Sequence, residues 1–348
     1  MPEDAFELDA DSDAFAPAED FIKYSLETTD ISSPILKAMK LYQRELDFHI
    51  NDSSKEGFVE ADINRLRFIK AHSFGEEKSN HYMTRLSEIA EDHPFMPLSS
   101  LAYYYWAQEL YDQGDYAEAL KIAKNGEAQH ADSYWGKMCQ PLIAQIEAKE
   151  MILKSINSAT PSCSEVILDY RNISEIHLQV VEDQGDCFLY EHYGLPDYIS
   201  DDKFKQLIES TPVKSWSVAL EPTIDYKTRS HTITLPSLEP GYYRLIASWQ
   251  QDFAEQENAT RIVSFWVTGI TMVTERINGE TIGFIRNAHS GAPLEGAEVK
   301  GFYKIQTDLI RRWVQSIRMK MVPLSSLMII KYGVCCTLNM KGMNWWIK

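Results

Sequence analysis

The stretch ITLPSLEPGYYRLIASW, Ile233–Trp249, decides the class of at least one domain. Two runs of alternating apolar residues flank a Leu-Pro, a Pro-Gly and a pair of tyrosines. A chain that crosses from one sheet of a sandwich to the other needs a corner of this kind. Leu238 is placed to plug the core from the corner. Pro240 stiffens the turn, and Gly241 is expected to supply a backbone angle that other residues resist. Tyr243 has the position of a tyrosine corner, its ring turned inward and its hydroxyl aimed at the corner's own backbone. Tyr242 then points to the opposite face, because neighbours on a strand alternate.

Outward from this corner the same grammar continues. SEVILDYRNISEIHLQVVED alternates over Val166, Leu168 and Tyr170, then over Ile176, Leu178 and Val180. SWSVALEP, SHTITLPSL and TRIVSFWVTGI are further short strands between polar or Pro/Gly breaks. Short strands at this spacing read as an antiparallel β-sandwich over residues 161–269. DDKFKQLIES interrupts it with a turn or two of helix. After Gly269, Asn278-Gly279 signals a hairpin, and HSGAPLEGAEVKGFY gives a turn followed by renewed alternation. Residues 270–303 therefore read as the start of a second, incomplete sandwich, since such domains run near 100 residues. Unfinished strand edges would invite proteolysis there. Residues 304–348 are basic, crowded with Met, Cys and Trp, and lack the alternation, which reads as an aberrant or truncated tail.

Upstream, the period is helical over 21–158. In YYWAQELYDQGDYAEALKIAKNGEAQHADSYWGKMC, Ala102, Trp106 and Leu110 share one face. Gly114 breaks the helix, and Ala119, Leu120 and Ala123 begin a second face. This is the pattern of a tetratricopeptide-type (TPR-like) helical hairpin at 101–130. Ala102, Ala117 and Ala119 are small enough to let its helices approach. Asp132 or Ser133 caps the next helix, with Leu142, Ile143, Ile146 and Met151 as its stripe. One good hairpin falls short of the roughly three repeats an array needs, so an irregular helical bundle fits equally. Residues 1–20 are acidic and read as a disordered leader.

A formal net charge of -17 over 348 residues opposes binding to a phosphate backbone, which excludes a nucleic-acid partner. No apolar run approaches the roughly 18 residues that cross a bilayer, and the start carries no secretion signal. The five cysteines form no CxxC pair or metal spacing; Cys163 and Cys187 flank two strands and could pair, or stay as buried thiols. No GxSxG, HExxH or phosphate loop is present, and no His pair has ligand spacing. The expectation is a protein that is not an enzyme and takes no cofactor or metal. Tyr104, Trp106 and Tyr111 could contact a peptide or pack as core. Trp216, Trp249 and Trp266 fall on strands, where packing is the default.

The order of these elements resembles the N-terminal portion of bacterial alpha-2-macroglobulin family proteins. Helices come first, then YRNISEIHLQVV, then LPSLEPGYYRLIAS, then NAHSGAPLEGAEVKGFY, over roughly residues 98–303. The resemblance implies a string of macroglobulin domains and an endopeptidase inhibitor, with target proteases as partners of the intact protein. It also implies an exported protein: periplasmic, cell-surface or extracellular. The chain departs from the family pattern in lacking a Cys-Gly-Glu-Gln thioester and an obvious bait segment. It would then be a non-catalytic front segment. The alternative is a free-standing interaction or adhesion module whose helical hairpin binds peptides.

Overall fold

The computed structural model describes residues 5–154, 158–159, 164–183, 201–253, 258–277, 280–294, 298–306, 311–319, 327–330, 335–340 and 343–347. For 158–159, 201, 272–284 and everything from 298 onward it describes the backbone alone. Helices are followed by mainly antiparallel sheets, and the chain divides into two units. One is Met1–Ala148 with Thr223–Lys227; the other is Lys149–Pro222 with Thr228–Lys348.

In the first unit, α2 (Pro34–His49), α3 (Glu56–His72), α4 (Lys78–Asp92), α5 (Ser99–Asp112), α6 (Tyr116–Gln129) and α7 (Tyr134–Glu147) follow a short α1 (Ala18–Phe21), and from α2 each packs on the next. α2 starts where Ser33 accepts the Leu36 N–H at 3.3 Å and Pro34 fills the first turn, where a missing N–H costs nothing. It buries Leu36, Met39 and Leu46 as one stripe. α5 ends at Asp112, and Gly114 just beyond it has a φ of +78°, which favours glycine. Asp115 then caps α6 and Ser133 caps α7, each accepting an N–H from three residues on. Ala102 and Ala119 are buried between helices, but Ala117 is exposed. A close approach is made instead at Gly126. A Cβ there would lie 2.6 Å from the Tyr103 Cβ and 3.0 Å from the Cys139 Sγ.

The acidic leader is not disordered where the structure describes it, from residue 5. Most of its apolar residues, interleaved with the acids, turn inward: Leu8, Ala10, Ala14, Phe15 and Ala18 are buried, as is Phe21 just beyond it. Arg65 of α3 fastens it, donating to the Ala14 oxygen at 2.8 Å and the Ala16 oxygen at 3.0 Å, while Asp62 balances its charge at 2.6 Å. Its guanidinium also lies over the Phe21 ring at 4.4 Å. β1 (Leu8–Asp9) pairs in parallel with β2 (Ser73–Phe74). Composition alone misreads this stretch, because the acids are simply its outer face.

The helical period also ends earlier than residue 158. α7 stops at Glu147, and Met151 lies not on its stripe but on β3 (Glu150–Leu153), 1% exposed, opposite Tyr170. A sheet ladder captures these residues where helical propensity alone would have carried on.

The second unit opens with two sheets around one core. The first has the order β3, β5 (Glu165–Arg171), β8 (Arg229–Thr234). The second runs β4 (Ser158–Ala159), β10 (Arg261–Val267), β9 (Gly241–Ser248), β6 (Glu175–Glu182), β7 (Lys214–Ala219). All pairs are antiparallel except β4 with β10. Val166, Leu168 and Ile233 from one sheet and Ile176, Leu178, Leu245 and Phe265 from the other join a single buried cluster. Period-2 alternation places exactly these side chains on the inner faces. The chain crosses between sheets at Asn172, whose φ is +57°, and again at the 235–240 corner. α8 (Asp201–Glu209) falls in the long connection between the neighbouring strands β6 and β7.

Further strands follow. β11 (Ile270–Ile277) and β12 (Glu280–Asn287) form a hairpin with Ile277 opposite Glu280; Asn278-Gly279 themselves lie outside the described residues. β13 (Glu298–Gln306) runs across residue 304. β14 (Arg311–Met319), β15 (Leu327–Ile330), β16 (Cys335–Met340) and β17 (Met343–Ile347) join the sheets β11-β12-β15 and β14-β13-β16-β17. Ladder pairing is a backbone matter. Val, Ile, Trp and Thr favour it even without strict alternation.

Candidate functional site

At the corner, Leu238 is 6% and Tyr243 3% exposed, and both belong to the sandwich core. The Tyr243 hydroxyl donates to the Glu239 oxygen at 2.9 Å. Its ring stacks with Phe265, centroids 5.9 Å apart, across the β9–β10 ladder. Burial raises its pKa, helped by the charges of Glu182 and Glu239. The phenol therefore stays a donor. Pro240 leads into β9 with partial exposure.

Gly241 does not adopt the left-handed backbone expected of it; the described glycines with positive φ are Gly75, Gly114 and Gly291. Its reason is space. A Cβ on Gly241 would stand 3.0 Å from Cε2 and 3.2 Å from the hydroxyl oxygen of Tyr243. The ring folds back over the glycine on its way to the corner. A second tie went unread in the sequence: the Tyr170 hydroxyl donates to the Glu221 oxygen at 3.0 Å, fixing the chain just beyond β7.

On the other face of β9 lies a buried charge cluster. Arg244 is 0% exposed, and its Nε donates to Asp183 Oδ2 at 3.0 Å. Lys203 of α8 reaches Asp183 Oδ1 at 3.0 Å. Arg244 also donates to the Ser264 hydroxyl and lies over the Tyr242 ring, which in turn meets Trp266 at 4.6 Å. Burial would raise the Asp183 pKa, but the Lys203 and Arg244 hydrogen bonds and charges outweigh it and hold the carboxyl low. Both carboxylate oxygens are engaged, so the group serves as an anchor and is poorly placed to move protons. Nothing in a single sequence marks Asp183, which follows a strand as a solvated acid would. A signal for its burial exists in β9: Leu245-Ile246-Ala247 is a continuous apolar run, as in strands covered on both faces.

The three aromatics considered for peptide contact lie in the first unit, all half-buried. Tyr104 and Trp106 pack against two hydrophobic clusters, Tyr111 against one of them. Trp106 stacks on Tyr103 at 6.2 Å; Tyr111 meets Tyr116 at 5.0 Å and accepts from Gln145 at 2.7 Å. Other rings are more accessible: Phe95 at 94%, Phe48 at 77% and Tyr134 at 72% exposure. Cys139 sits beneath this layer, its thiol pushed up to about 12 by burial and then by Glu127. Trp216 and Trp249 pack on the sandwich core. Cys163 and Cys187 lie outside the described residues.

Among the described residues no group of three or more His, Cys, Asp or Glu is placed to hold a metal ion. Nor, among them, is any helix long and apolar enough to cross a membrane.

No family model matches the sequence, and no curated protein matches it. Among solved structures, the chain is similar to native alpha-2-macroglobulin from Escherichia coli spanning domains NIE-MG1. Identity is 12% and the TM-score 0.40, over 58% of this chain and 97% of that one. It is also similar to the same protein spanning domains MG0-NIE-MG1, with 13% identity and a TM-score of 0.38 over 57% of this chain and 63% of that one. At these scores the fold rests on the strand register and shared core described above, and not on the likeness.

Proposed function

We propose that this chain is a non-catalytic framing segment of a macroglobulin-like endopeptidase inhibitor, working near the N-terminal side of a longer protease trap. The observation that carries the reading is the tied corner. Leu238 and Tyr243 sit in one core shared by two sheets, and the Tyr243 hydroxyl closes on Glu239. Its place in the chain supports the same reading: helices, opening strands, corner, then the Gly-Ala-Pro-Leu turn at 291–294. A trap needs parts that hold their shape while others move, and a sandwich closed by tyrosine ties is such a part. Target proteases would be partners of the whole protein, which would be exported.

The test is protection. The complete gene product, mixed with endopeptidases of differing specificity, is expected to shield them from protein substrates while small peptide substrates are still cleaved. This chain alone is expected to do neither, and to bind no short peptides. Absence of shielding by the complete product overturns the reading. Tight binding of short peptides by the chain alone would favour a free-standing interaction module built on the α5–α6 hairpin. The partial exposure of Tyr104, Trp106 and Tyr111 on α5 is the feature that speaks for that second reading.

A further inference from the structure

α2 is apolar on two opposite sides. Leu36, Met39 and Leu46 are buried against the helical unit. Leu41 and Phe48 are 62% and 77% exposed, and Pro34 is exposed as well. Each of these three is seven residues from the next, just under two turns, so they form a ridge along the outer side of the helix. The first long helix of a run in which each packs on the next normally turns a polar face outward. Here that face carries two large bare side chains. A helix apolar on both sides belongs between two neighbours, and α3 supplies the inner one.

The charges beside the ridge say what the outer neighbour carries. Lys37, Lys40 and Arg44 are exposed, and among the described residues none of these three side chains has a carboxylate or another hydrogen-bond partner. At about 100° per residue they fall together on one side of the Leu41–Phe48 line. Glu45 falls on the other side, and Asp47 lies further round, past Lys40. Three cations left without acids stand out in a chain of net charge -17. A surface that covers Leu41 and Phe48 also takes water from Lys37 and Arg44, and carboxylates on that surface offset the loss.

We propose that the outer face of α2 docks an acidic amphipathic helix of a partner protein, whose apolar side chains pack on Leu41 and Phe48 and whose carboxylates pair with Lys37, Lys40 and Arg44. A ridge with a seven-residue period is the shape that the seam of a second helix accepts. A copy of the same face is a poorer partner, because it brings the same excess of positive charge. An extended anionic surface is poorer too, because it would also meet the chain's many acids. The docking face stands whether or not the chain frames a protease trap.

The probe is a synthetic helix of about three heptads, with leucine at the two seam positions and glutamate or alanine elsewhere. Fluorescence anisotropy with the full chain is expected to show saturable binding. The same peptide with lysine in place of glutamate is expected to bind at least about tenfold more weakly. Leu41→Asp, Phe48→Asp and the pair Lys37→Glu with Arg44→Glu are each expected to weaken the acidic peptide at least about tenfold. All four side chains are exposed, so an unchanged urea midpoint is expected for each variant. Hydrogen exchange on the unmodified chain gives a reading that needs no variant: residues 34–49 are expected to slow when the acidic peptide is bound. The docking face is overturned if the two peptides bind alike, if the variants keep full affinity, or if exchange at 34–49 is unchanged. Self-association of the chain, or binding to phosphatidylserine vesicles, that Leu41→Asp abolishes would assign the face to a second copy or a membrane and overturn it equally.

Discussion

The hydroxyl of Tyr243 makes one hydrogen bond, to the Glu239 oxygen, while its ring fills the core beside Phe265. The two contributions separate by mutation. Tyr243→Phe keeps the ring and removes the donor, so it is expected to lower stability by about 1 kcal/mol. Tyr243→Ala removes both and should cost about 3–5 kcal/mol. Urea denaturation with an unchanged slope checks each; a neutral Tyr243→Phe would show that the tie does not hold the corner. Gly241 gives a test by sign. In an ordinary strand, alanine is better than glycine by roughly 0.5–1 kcal/mol. Here the new Cβ meets the phenol ring at 3.0 Å, so Gly241→Ala is expected to destabilise by about 1–2 kcal/mol. The corner's residue types could be read from the chain, yet the reason for its glycine could not. A sequence shows that a small residue is needed, but not whether a backbone angle or a neighbouring ring demands it.

Between elements, α5, α6 and α7 meet closely at Gly126. Its missing Cβ leaves room for Tyr103 and Cys139, and the Ser100 hydroxyl donates to its carbonyl at 2.7 Å. Glycine inside a helix normally costs about 1 kcal/mol against alanine. Gly126→Ala should therefore stabilise an isolated α6 yet destabilise the protein by about 1–3 kcal/mol, because helix axes must separate. A raised melting temperature would refute this junction. The same contrast explains what was legible among the elements. The inward positions Val166, Leu168, Ile176 and Leu178 declare themselves by period, because a half-buried strand must alternate. Met151 does not, since four residues fit a helix stripe or a strand equally well. The leader fails for another reason. Its acids set the local composition, while its burial depends on Arg65, some fifty residues on.

For the molecule as a whole, acid is the revealing variable. Glu109 is 5% exposed and joins three helices: Lys70 of α3 reaches it at 2.6 Å and Ser79 of α4 at 2.7 Å. Burial would raise its pKa, but the bonds from Lys70 and Ser79 prevail and hold it below the ordinary carboxylate range, as Lys203 and Arg244 do for Asp183 in the other unit. A carboxyl whose folded pKa lies below its unfolded value binds fewer protons when folded. Its contribution is therefore complete above the unfolded pKa and is lost as pH falls through the folded one. A second effect has the opposite sign. At a net charge of -17 the folded chain repels itself, and protonating exposed acids relieves that. That repulsion is spread over many screened charges, so its term is shallow, whereas Glu109 and Asp183 each carry a folded pKa held low by specific partners. The buried pair is expected to win. Stability measured by urea should be level from neutral pH down to the ordinary carboxylate range and fall steeply below it. Glu109→Gln should start lower at neutral pH and fall less on acidification, because the group that changes its proton between states is gone. A profile for Glu109→Gln parallel to that of the unmodified chain would place the acid sensitivity elsewhere and break the link between this carboxylate and the three helices it joins.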